Sequence, residues 1–136
     1  MRFLNTRTNR ATYWMLLAAL IVIYAVLNAI SSKQVAVSEG VLIVLCIPRL
    51  HDIGRSGWWA GGVFLLEIGI ALIGFTTLPL QEATIIMGAF VLLIAALLVW
   101  LGTIPGEPGP NRYGDPPRPG LGLKRKAASA PTDMRI

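Results

Sequence analysis

From Tyr13 to Ile30, and again from Ala83 to Ile104, the chain carries no charged residue. Coiled as a helix at 1.5 Å per residue, the first run extends about 27 Å, close to the roughly 30 Å of a bilayer's hydrocarbon core, and the second is longer. A lipid core offers the backbone no water to bond with. Apolar stretches of this length and composition are therefore restricted to helices, whose N–H and C=O groups satisfy one another.

Composition points the same way, with 54% hydrophobic and 14% charged residues, against about a quarter charged in soluble proteins. At 136 residues the chain has room for one domain. The formal net charge of +5 raises nucleic acid as a partner. However, the basic residues lie outside the apolar runs, where membrane topology puts them. No aromatic residue interleaves the Lys124-Arg125-Lys126 cluster to stack on bases, so no nucleic-acid partner is expected. The single cysteine, Cys46, rules out an internal disulfide, and the single histidine, His51, rules out a multi-histidine metal site. No metal or other cofactor is expected.

Arg2, Arg7 and Arg10 before the first run, with Ala29-Ile30-Ser31 after it, have the outline of a cleaved secretory signal. The run exceeds the roughly 7 to 15 residues of a signal core, so it reads as a retained helix. The second apolar segment is weaker. It is uninterrupted only from Val41 to Pro48, and reaches Val35 through Gly40 and Glu39. The third begins at Trp58 with Glu67 as its only charge, and the fourth is Ala83 to Ile104.

Charge placement bears on whether the second segment crosses, since Lys and Arg concentrate in cytoplasmic loops. With four crossings, Arg2, Arg7, Arg10, Arg49, Arg55, Arg112, Arg118, Lys124, Arg125, Lys126 and Arg135 share one side and Lys33 stands alone opposite. Three crossings would place a basic cluster on the wrong side. Trp14, Trp58, Trp59 and Trp100 fall near the same helix ends, as anchors in an interfacial aromatic belt. The expectation is an all-α integral membrane protein. It comprises a cytoplasmic leader (1–12), a four-helix transmembrane bundle (13–104; helices about 13–30, 35–48, 58–78 and 83–104) with short loops, and an extended Pro/Gly-rich basic tail (105–136), with both termini cytoplasmic.

The densest polar stretch is the expected cytoplasmic loop Pro48-Arg49-Leu50-His51-Asp52-Ile53-Gly54-Arg55-Ser56-Gly57-Trp58-Trp59. Arg49 and Arg55 are candidates to grip a lipid phosphate or a partner's carboxylate through planar forks, with Asp52 orienting His51 for proton exchange. A plainer reading has Pro48 end one helix, Gly54 and Gly57 form the turn, and Ser56 cap the next helix. Glu67 lies about 13 Å into the third helix, near the bilayer midplane, where an ionisable residue marks a functional hypothesis. Tyr24 on the first helix is the nearest polar side chain at that depth. Gly57 and Gly61, with Gly62 and Gly69 beyond, form a small-xxx-small pattern that suits tight packing within the chain or dimerisation.

Three stretches resemble one family. Arg7, Arg10, Tyr13 and Trp14 fit its opening Gly-Arg-x-x-Arg-x-x-Tyr-Trp, with Thr6 in place of the glycine. Arg49 to Trp59 is similar to its central Arg-Arg-Leu-His-Asp-x-Gly-Arg/Lys-Ser-Gly-Trp-Trp, with Pro48 in place of the first arginine. Pro105, Gly106, Gly109, Asn111, Tyr113 and Gly114 fit its closing Pro-Gly-x-x-Gly-x-Asn-x-Tyr-Gly. The family is the YhaH-like bacterial inner-membrane proteins of unknown function, and the likeness covers about residues 5 to 117. It implies a bacterial inner-membrane location and several helices, and it assigns no catalytic residue.

All three stretches fall on the cytoplasmic side of the expected topology, which gathers Arg10, Arg49, His51, Asp52, Arg55, Asn111 and Arg112 on one surface. The expected role is that of a non-enzymatic accessory or interaction subunit, its partners membrane lipids and a larger membrane protein complex or further copies of itself. The alternatives are a small transporter or channel subunit using Glu67, and a lipid-headgroup enzyme using His51 and Asp52.

Overall fold

The computed structural model describes residues 6–31 and 39–120, and among these it is helical, with no strand beyond an isolated bridge between Asn111 and Gly114. The elements are α1 (Arg10–Ile30), α2 (Glu39–Asp52), α3 (Trp58–Thr77) and α4 (Leu80–Thr103). Asn9 caps α1, its side-chain oxygen accepting from Thr12 N–H at 2.8 Å, which satisfies one of the orphan donors of the first turn.

The chain runs up and down. The beginning of α1 lies against the end of α2, where Thr8 N–H donates to Pro48 C=O at 3.0 Å. The end of α4 meets both, and α3 leaves from the turn after α2. These four ends form one rim, and Trp14, Trp58, Trp59 and Trp100 all sit near it. α2 and α4 touch each other and both outer helices, whereas α1 and α3 do not touch. The small buried core, Tyr13, Leu17 and Leu101 packed by Leu45, Cys46, Leu50 and Ile53, lies immediately behind the rim.

α1, α3 and α4 are each long and apolar enough to cross a membrane. Large apolar side chains cover their outer faces, Leu92 being 73% exposed. A continuous apolar exterior of this kind suits lipid rather than water. The expected fourth crossing is only partly there: α2 has 14 residues, about 21 Å at helical rise, and residues 35 to 38 of the expected segment lie outside the described residues.

Two expectations at the rim are corrected. Pro48 does not end its helix; α2 continues through it to Asp52. Proline removes its own N–H from the ladder and crowds the carbonyl one turn back, yet the helix goes on for another turn, in which Arg49 and Asp52 pair. The tail beyond Ile104 is not a loose extended segment as far as it is described. Residues 105–120 fold back, with Glu107 N–H bonding Asp52 C=O at 2.8 Å and Asn9 Nδ2 donating to the carbonyls of Arg118 and Gly120. The basic cluster Lys124, Arg125 and Lys126 lies outside the described residues, as do Arg2, Lys33 and Arg135.

Candidate functional site

α4 ends at the rim with carbonyls that have no partner in their own helix. Side chains from the other helices supply them. Arg49 Nε donates to Leu101 C=O at 3.1 Å, and its Nη2 donates to Ile104 C=O. Trp14 Nε1 reaches Gly102 C=O at 3.1 Å, and the Tyr13 hydroxyl adds a bond to Leu98 C=O, one turn inside the helix, at 2.9 Å. A cation at a helix C-terminus also meets the negative end of the helix dipole. In lipid, where apolar burial does not drive helices together, hydrogen bonds of this kind join α1 and α2 to α4.

Arg49 is buried, with 0% of its surface exposed, so it needs a counter-charge. Asp52, one turn further along α2, provides it, with Arg49 Nη1 at 2.5 Å from Oδ2. The other carboxylate oxygen of Asp52 takes Arg7, whose Nη2 lies at 3.1 Å and Nε at 3.2 Å. The rest of the Arg7 fork binds the returning tail, at the carbonyls of Glu107 (2.6 Å), Gly109 (2.7 Å) and Gly114 (3.1 Å). One carboxylate thus joins the leader, the end of α2 and the tail through two arginines. No buried side-chain nitrogen or oxygen among the described residues lacks a hydrogen bond.

Asp52 does not orient His51, because both its oxygens face arginine. His51 is buried on the other side of the turn, its Nδ1 3.3 Å from Thr6 C=O. A carbonyl only accepts, so the proton of the neutral ring sits on Nδ1. The ring stacks on Tyr113 with centroids 3.7 Å apart. Burial holds the imidazole below its ordinary pKa, the Thr6 carbonyl opposes that shift, and the positive charge of Arg112 adds to it.

Gly54 turns the chain with φ +71°, a conformation that side chains strain. Ser56 Oγ accepts from Trp58 N–H at 3.4 Å, a long contact for a cap. Asn111 is spent internally, donating to His51 C=O at 3.0 Å and Glu107 at 2.7 Å while accepting from Tyr113 N–H.

The seven expected binding residues therefore divide. Arg49, His51 and Asp52 are buried and Asn111 is half-buried in the rim's own bonding, while Arg10, Arg55 and Arg112 stand exposed. Arg112 lies 4.8 Å over the Tyr113 ring and donates to Gly54 C=O at 3.3 Å, which holds it beside Arg55. Trp58 is 86% exposed. Arg7, Tyr113 and Glu107, absent from that set, are structural members of the rim. The Arg-x-x-Arg spacing of the leader was the available signal for Arg7.

Glu67 and Tyr24 do not meet. Glu67 lines a cavity of about 700 Å³ between α2, α3 and α4, with Glu39 from α2 in the same lining. Tyr24 lines a smaller one between α1, α2 and α4. A Cβ added at Gly62 or Gly69 would meet nothing within 4 Å, so internal packing does not explain these glycines. Among the described residues no group of histidine, cysteine and acidic side chains is suited to hold a metal.

Three helices fit to cross a membrane, closed at one end by a buried arginine–carboxylate cluster, define a small helical membrane protein. The model of the family described as "Protein of unknown function (DUF805)" matches residues 3–115, and the chain belongs to that family. Neither the curated proteins nor the solved structures contain a match to it.

Proposed function

We propose that this is a non-enzymatic accessory protein of the bacterial inner membrane, both termini cytoplasmic, that binds an acidic surface of a membrane protein complex through its rim. The supporting observation is the division of the arginines. Arg7 and Arg49 are consumed in building the rim, whereas Arg10, Arg55 and Arg112 are left exposed on it with Trp58. Exposed arginine and tryptophan are the residue types that anchor protein interfaces. The same cations support the cytoplasmic orientation through the positive-inside rule, with α2 as the fourth crossing.

The reading that pairs His51 with Asp52 as acid and base loses its support, because both Asp52 oxygens meet arginine. The test is mass spectrometry of the protein extracted gently from its native membrane. A stoichiometric polypeptide partner is expected, and it should be lost when Arg55 and Arg112 are both changed to Glu. Recovery of the protein without any partner, or a partner retained by that variant, would overturn the reading.

A further inference from the structure

The cavity between α2, α3 and α4 has a graded lining. Its walls are apolar, with Leu42, Val63, Phe64 and Leu98 among them. Arg55 and Trp59 stand at its rim end, and Glu39 and Glu67 interrupt the apolar lining at depth. From Trp58 to Glu67 is nine residues of α3, about 13 Å along the axis, or roughly the depth of one leaflet. Arg55 is exposed, and its guanidinium bonds no side chain or carbonyl among the described residues. Arg55 is the one cation among the described residues of that lining.

An apolar slot one leaflet deep, with an exposed guanidinium at the membrane surface, matches one kind of molecule in charge and length. We infer that it seats one acyl chain of an anionic phospholipid, whose phosphate rests on Arg55. Guanidinium forks bind phosphate oxygens in pairs, and basic residues at the cytoplasmic surface attract anionic lipid. Ordinary bilayer lipid makes only fluid contacts along helix faces. The slot adds a concave wall to the cation at its lip, so one molecule is retained. This rests on the reading of Arg55 as an outward-facing cation, and goes beyond it in adding the chain seat.

The experiment is native mass spectrometry of the protein released from phosphatidylcholine nanodiscs doped with phosphatidylglycerol. One phosphatidylglycerol per chain is expected on the wild type. Arg55→Gln should reduce its occupancy several-fold. Ala60→Phe, which fills the slot and leaves the rim cations in place, should remove the lipid while sparing partner retention. Occupancy should also rise with acyl-chain length, a dependence read on the wild type alone and so independent of how any variant folds. Absence of bound phosphatidylglycerol overturns the inference. Equal occupancy by short- and long-chain phosphatidylglycerol, or displacement of the lipid by glycerol phosphate alone, would reduce the site to a headgroup contact. Either result overturns the chain seat and leaves the rim reading standing.

Discussion

Arg7 and Asp52, 45 residues apart in the chain, form a buried ion pair at 3.1 Å whose side chains are 1% and 4% exposed. Asp52 holds Arg49 with its other oxygen at 2.5 Å, so a single carboxylate balances two guanidinium groups. The excess positive charge is met by backbone carbonyls of α4 and the returning tail. Removing one member of a buried charge pair leaves its partner desolvated and uncompensated.

Asp52→Asn is accordingly expected to destabilise the protein by about 3–5 kcal/mol. The check is denaturant unfolding in mild detergent. A double-mutant cycle of Arg7→Gln with Asp52→Asn should give a coupling well above the roughly 0.5 kcal/mol within which independent sites add. Additivity at that level would mean the pair does not hold the leader to α2.

The glycines of the rim make a separate prediction. A Cβ at Gly106 would run into the Asp52 carboxylate, which two arginines hold in place. Gly106→Ala should cost about 1–3 kcal/mol, as overpacking does. Gly54→Ala should cost roughly 1–2 kcal/mol from the left-handed backbone, because the Glu107 side chain it meets is able to swing away. Gly62→Ala, in open space, is the control and should leave the unfolding midpoint unchanged or slightly raised. Thermal unfolding of the three variants decides.

His51 predicts a dependence on pH. Its pKa is lower in the fold than in the unfolded chain, first through burial. As pH falls through the unfolded value of about 6.5, the unfolded chain takes up the proton first. The stabilisation is therefore complete above that pH and is lost as pH falls from there through the folded pKa. The melting temperature should drop across this window in the wild type, and the drop should be smaller in His51→Gln. Equal profiles would place the pH-sensitive group elsewhere.

Capping of α4 from α1 gives a local prediction. Trp14→Phe removes the donor to Gly102 C=O and should cost about 1 kcal/mol, with faster amide exchange confined to the end of α4. Protection unchanged there would mean the indole contributes only as an interfacial anchor.

The apolar runs made three helices legible, because charge-free stretches of that length have few other folds open to them. The rim was legible as a location and not as a structure. Basic residues and tryptophans marked which helix ends gather together, but a run such as Arg49 to Arg55 reads alike whether its charges face a partner or each other. Only the third dimension shows Asp52 turned from adjacent His51 toward Arg7. Proline and glycine after Ile104 suggested a loose tail. Yet Gly106 is where α4 gives way to a chain passing closely over Asp52, a role that composition does not distinguish from flexibility. Glu67 and Tyr24 matched in depth, but depth carries no information about which side of α2 and α4 a residue occupies.

The central claim is that buried arginines build the rim and exposed ones use it. It is tested most directly by measuring, on the same preparations, the unfolding midpoint and the amount of co-purified partner for Arg49→Gln and for Arg55→Glu with Arg112→Glu. The account predicts a lowered midpoint for the first variant, and a wild-type midpoint with the partner lost for the second. A wild-type midpoint for Arg49→Gln, or full partner retention by the exposed-site variant, would contradict it.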